Sequence, residues 1–143
     1  MQTKVVAKVV VVDERRNVLL LRRSQTDTRR PGQWDFPGGN AEAGESYVTA
    51  CAREAEEEAG LKILPEQLQI FRAESRVIDA NATPMNIIWL FYFVQLQNQP
   101  EIALSFEHDR STWMSLDDAI EDLNYDVHIE TLRYLRDNKL LEQ

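Results

Sequence analysis

The chain has 143 residues, 43% of them hydrophobic and 28% charged, with 5 Gly, 5 Pro and a formal net charge of −8. This composition excludes a disordered or repetitive chain; it suits a single domain over 1–143 that can bury a core without disulfides or a structural metal. The acidic balance argues against a nucleic-acid polymer as partner, since duplex binding rests on Lys and Arg neutralising phosphates. With one cysteine, Cys51, no secretory segment and no apolar stretch of membrane length, the expectation is a cytoplasmic protein away from the bilayer, monomer or homodimer.

Val5 to Val12 is a β-branched run broken only by Lys8, the pattern of a buried strand, and Val18 to Leu21 is a second apolar run. The polar segment between them predicts a hairpin. Ser24 to Gln33 is polar and Arg-rich and carries Pro31-Gly32, the marks of a loop. Trp34 to Phe36 is a short strand, stopped by Pro37-Gly38-Gly39. The clearest helix runs from Ser46 to Ala59, with Val48, Ala52, Ala55 and Ala59 as a narrow apolar stripe and Gly60 placed for a left-handed end. Leu68 to Ile78 and Asn86 to Gln97 read as strands joined by a turn over Ala80 to Pro84. The second is apolar on both faces at its centre, which predicts a central strand of a covered sheet. Trp89, Phe91 and Phe93 share one of those faces and read as core. Ser111 to Met114 predicts a last short strand, Leu116 to Leu123 a helix capped by Ser115, and His128 to Lys139 an amphipathic helix. The order of elements gives a mixed α/β domain with helices outside the strands.

Chemistry concentrates in residues 37 to 61. Glu54, Glu57 and Glu58 stand at i, i+3 and i+4, so they share a helix face, predicted to point away from the apolar stripe. Glu56 adds a fourth acid. On its own such a face is most often solvated surface, yet like charges at this spacing repel, and a divalent cation would reverse that penalty. Oxygen-only donors suit Mg²⁺, with Mn²⁺ as a substitute. No EF-hand loop is spelled out, and His108 and His128 lack the partners of a zinc site.

The spacing Gly39, five residues, Glu45, seven residues, Arg53-Glu54-Ala55, one residue, Glu57-Glu58, one residue, Gly60-Leu61 resembles the box of the Nudix hydrolases, MutT-like enzymes, with Ala55 smaller than the usual aliphatic residue. Trp34 and Pro37-Gly38 precede the box as they commonly do in that family. The resemblance implies a Nudix fold, a mixed β-sheet sandwiched between helices (α/β/α). It implies Mg²⁺-dependent hydrolysis of a phosphoanhydride in a nucleoside diphosphate derivative, most simply an ordinary or oxidised nucleoside triphosphate cut to monophosphate and pyrophosphate. ADP-ribose, a nucleotide sugar and a dinucleoside polyphosphate stand as alternative substrates, and a nucleotide-sensing domain without catalysis as a different class. By the same resemblance Glu54, Glu57 and Glu58 would bind metal, with Glu45 in support and the Gly39 carbonyl as a further donor. Arg53 would organise the box carboxylates, and Gly39 and Gly60 would adopt φ values that other residues resist. Glu107, with Asp109 as its substitute, occupies the place where mutator-type members supply another carboxylate. The general base is Glu57, Glu58 or Glu107. Outside the box, Arg22, Arg23 and Arg30 are candidates for the substrate's distal phosphate, and Trp34 for a substrate contact.

Overall fold

A β-branched strand with no polar face must be covered on both sides, and β1 (Gln2–Val12) shows how. In the structure, a computed structural model describing residues 1–80 and 83–142, β1 runs parallel to β6 (Thr83–Gln95) from Gln2↔Met85 to Val12↔Gln95. On one face Val10 and Val12, with Trp89, Phe91 and Phe93, pack under α2 (Leu116–Asp122) and α3 (Asp126–Asp137). On the other, Ala7, Val9 and Val11, with Tyr92 and Val94, pack under α1 (Tyr47–Ala59). The expected α/β/α sandwich is therefore present, and the aromatics of β6 are core.

The remaining strands are β2 (Asn17–Arg23), β3 (Trp34–Asp35), β4 (Gly38–Asn40), β5 (Gln69–Ala80) and β7 (His108–Ser115). The sheet order is β3-β2-β1-β6-β5, with β4 added to β1 and β7 to β2. The predicted hairpin survives only at its turn, where the Asp13 carboxylate accepts the N–H groups of Arg15 and Asn17. Strands β1 and β2 pair at Val12↔Val18 and then part. β2 follows β7 from Asn17↔Ser115 to Arg23↔His108, which leaves the middle of β1 free for β4 at Lys8↔Gly38 and Val6↔Asn40. A strand opening on two glycines has no propensity signal, so β4 was invisible in the sequence. The turn expected over Ala80 to Pro84 falls in part on 81–82, outside the described residues; β5 and β6 pair up to Ala80↔Thr83.

Helix α1 has the ends its sequence promised. Ser46 caps it by accepting the Thr49 N–H, and Gly60 closes it at φ 69°. Its buried side is Cys51, Ala55 and Ala59 with Ala50 and Ala52, and it includes Glu58. Val48 lies only at the margin of that cluster. Ser115 caps α2 by accepting the Asp118 N–H. Among the described residues no helix is long and apolar enough to cross a membrane.

Candidate metal and active site

Glu58 stands three residues after Ala55 and seven after Cys51, which turns it onto the inward face of α1. It is 5% exposed. The solvated arc expected for all three acids thus holds for Glu57, whose side chain is 58% exposed, and is corrected for Glu58. Burial pushes the Glu58 carboxyl up to about 8, against the opposing pull of Lys8. Its Oε1 accepts the Gly38 N–H at 2.8 Å. Glu54 is half-buried; desolvation raises its carboxyl, Arg53 opposes this, and Glu57 and Glu107 add repulsion.

The loop facing these acids needs glycine at two places for different reasons. Gly38 takes φ +127°, and a side chain there would run into the Ala7 carbonyl. Gly39, expected to carry the unusual φ, does not. It is constrained by a close approach, since a Cβ would fall 2.8 Å from Glu54 Oε2. The backbone of β4 therefore lies directly against two box carboxylates.

Arg53 gathers the others. It donates to Glu45 Oε2 at 2.7 Å, to Glu54 at 3.2 Å, to Glu57 at 3.1 Å and to the Asn40 carbonyl at 3.3 Å. Its carboxylate partners raise the Arg53 pKa, the Glu45 hydrogen bond foremost, and that same hydrogen bond from Arg53 lowers the pKa of Glu45. Among the described residues the acids are drawn to Arg53, and no three acidic, His or Cys side chains converge closely enough to enclose an ion. The donor chemistry nonetheless fits Mg²⁺ or Mn²⁺. It is all oxygen, and it holds two carboxylates whose anions are disfavoured by burial and crowding.

Glu107 reaches this side of the molecule because the segment before β7 caps α1. Ala103 and Ser105 donate to the carbonyls of Ala59 and Glu58 at 2.9 and 3.0 Å. Ser24 then pins the turn, its N–H on the Glu107 carbonyl and its hydroxyl on the Phe106 carbonyl. The Glu107 side chain is exposed and close enough for its charge to act on Glu54. Asp109, the substitute considered for it, is held by Arg22 Nε at 2.7 Å.

Arg23, Arg30 and Trp34 lie elsewhere. Asp35 is fully buried, with Arg23 at 2.8 Å, Lys8 at 3.3 Å and Arg30 at 3.6 Å. Although burial opposes ionisation, Lys8 and its neighbours hold the Asp35 carboxyl far below the usual range. The Arg30 guanidinium also sits 4.2 Å over the Tyr125 ring, and Trp34 packs against the core beneath α2 and α3. This cluster meets the α1 acids through the loop from Asp35 to Gly39. Lys8, Asp35 and the buried His128 carried no functional assignment from the sequence; the one available signal was Lys8 as the lone charge within the Val5 to Val12 run. Glu45 also lines an open groove of about 820 Å³, together with Thr3, Val5, Asn40, Glu42 and Met85.

The NUDIX domain profile matches residues 2–135. An asymmetrical bis(5'-nucleosyl)-tetraphosphatase of Caenorhabditis elegans is 33% identical over 97 residues, covering 66% of this chain and 67% of that protein. The nucleoside triphosphatase NudI of Escherichia coli is 28% identical over 116 residues, 78% of this chain and 79% of that one. Other relatives are longer, and the chain spans 31% and 19% of two of them. A binary complex of a C. elegans Ap4A hydrolase superposes with a TM-score of 0.73 at 27% identity over 96% of this chain and 98% of that one.

Proposed function

The chain belongs to the NUDIX family as one of its pyrophosphohydrolases, and from that premise we propose that it cuts a nucleoside triphosphate, ordinary or oxidised, to the monophosphate and pyrophosphate. The observation that supports this reading best is the contact of Glu54 and Glu58 with the Gly38-Gly39 backbone, beside Glu57 and Glu45. Glu54, Glu57 and Glu58 would hold Mg²⁺ or Mn²⁺, with Glu45 in support and the Gly39 carbonyl as a further donor. A divalent cation there would supply neutralisation of phosphate charge and acidification of the attacking water.

The chain's own groups do the rest. Arg53 keeps Glu45, Glu54 and Glu57 in one arc and so limits how far they can splay. Glu107, exposed and in no ion pair among the described residues, accepts the proton of the attacking water. Arg22, tied to Asp109 near that turn, meets the distal phosphate. Arg23 and Arg30 balance Asp35 and hold the loop. The similarity to the tetraphosphatase favours a dinucleoside polyphosphate as the second reading.

The test is a panel of ordinary and oxidised nucleoside triphosphates, ADP-ribose, nucleotide sugars and dinucleoside polyphosphates, with products identified in Mg²⁺ and in EDTA. Pyrophosphate from a triphosphate, lost in EDTA, is expected. A clear preference for dinucleoside polyphosphates selects the second reading. Tight nucleotide binding without any turnover would make the domain a sensor. For the proton acceptor, Glu107→Gln should lower kcat by about 10²–10⁴-fold, the usual weight of a general base, with an unchanged melting temperature; an unaltered kcat returns Glu107 to the surface.

A further inference from the structure

A lysine placed mid-strand among β-branched residues must find partners or lose its charge, because an isolated buried ammonium is very costly. Lys8 is 6% exposed. By strand alternation its side chain leaves β1 on the face of Val10 and Val12, beneath α2 and α3, opposite the face that carries α1. Its ammonium has three donors, and each has an acceptor: Asp35 Oδ2 at 3.3 Å, the Phe36 carbonyl at 3.2 Å and the Gly38 carbonyl at 3.0 Å. Neutralising Asp35 cannot be the whole role, since Arg23 already meets the same oxygen at 2.8 Å. Two of the three bonds grip loop backbone, and the closest is to Gly38.

That backbone is the part that touches the box acids. The Gly38 N–H donates to Glu58 Oε1 at 2.8 Å, and Gly39 abuts the Glu54 carboxylate. The loop has little play: Val9 N–H holds the Pro37 carbonyl at 2.9 Å, and Gly38 is pressed against Ala7. We propose that Lys8 is a positioning residue for the metal-binding acids: from the opposite face of the sheet it clamps the Phe36–Gly39 backbone, and through the Gly38 N–H it aims the Glu58 carboxylate. This rests on Glu58 being a ligand of the cation.

The experiment measures Mn²⁺ binding to the full chain by the loss of the free-ion EPR signal, alongside hydrogen exchange of the Gly38 amide by NMR. Lys8→Met should weaken Mn²⁺ binding by about 10–100-fold, the loss typical of outer-shell partners, and speed exchange at Gly38. Leu132→Ala, a core truncation in α3 that removes no hydrogen bond to the loop, controls for lost stability and should leave Mn²⁺ affinity within about twofold. Wild-type affinity in Lys8→Met overturns the proposal, as does an equal loss in Leu132→Ala. Should Lys8→Met not fold, Lys8→Gln takes its place: weakened Mn²⁺ binding supports the clamp, and wild-type affinity overturns it. If Glu58→Gln keeps full affinity, the ligand assignment itself falls and the proposal with it. If Glu58→Gln loses affinity while Lys8→Met keeps it, only the role of Lys8 is refuted.

Discussion

Glu57→Gln should lower kcat by at least about 100-fold, more than the loss of an outer partner of a metal site, while the chain stays as stable as wild type. The two halves of this result have separate causes. Glu57 is mostly exposed, and its contacts are the paired bonds from Arg53 at 3.1 and 3.2 Å. Glutamine keeps the length of the side chain and a similar helix propensity, and exposed ion pairs contribute little. Unfolding in urea should therefore shift by no more than about 0.5 kcal/mol, as for ordinary surface substitutions. Activity responds differently because a neutral amide is a poor ligand for a hard cation and cannot balance its charge. Measured kcat at saturating substrate and Mg²⁺, set beside the urea midpoint, checks both. Equal turnover in variant and wild type would falsify the assignment of Glu57 to the metal site.

Through His128 the fold should lose stability on acidification well above the ordinary carboxylate range, against the opposite trend of Glu58, whose raised carboxyl takes up its proton in the same window. Its ring is fully buried between Phe36 and Tyr125, at centroid distances of 4.8 and 5.1 Å. Neither ring nitrogen has a hydrogen-bond partner among the described residues. Asp35 lies 3.5 Å from Nδ1 and favours protonation, but burial, with Lys8, Arg30 and Arg23 nearby, outweighs it and pushes the imidazole down from 6.5 to about 3. A base with a depressed folded-state pKa binds fewer protons folded than unfolded between those two values. Its contribution is complete above pH 6.5 and is lost as pH falls toward about 3. Between neutrality and pH 5 the loss is about 2 kcal/mol for this one group. His108, pushed down to about 4 by burial, adds in the same direction. Urea unfolding of wild type and His128→Leu at pH 7.5 and pH 5 should show wild type losing about 2 kcal/mol more than the variant over that interval, the Glu58 contribution being common to both. The same drop in both would assign the acid sensitivity to other groups.

Periodicity and spacing were sufficient where the information was local. The caps at Gly60 and Ser115, the central position of β6 and the sandwich itself were legible from a few neighbouring residues each. So was the frame of the box, because Glu45, Arg53, Glu54 and Glu57 come together through one helix and the loop that enters it. The position of Glu58 could also have been read, since it repeats the spacing of Cys51 and Ala55; an acid was simply expected to face water.

What the chain alone determined, then, is the carboxylate-rich helix, its ends and the family to which the box belongs. Only the tertiary structure decided which carboxylate is buried, which glycine bends and which makes room, and that Lys8 reaches the loop from behind the sheet. Those outcomes depend on β1 pairing with β2 at Val12↔Val18 alone and taking β4 along Val6 to Lys8. Strand pairing of that kind is a contest between backbone segments far apart in sequence. No local pattern records which one wins, because the backbone groups that pair are the same in every residue.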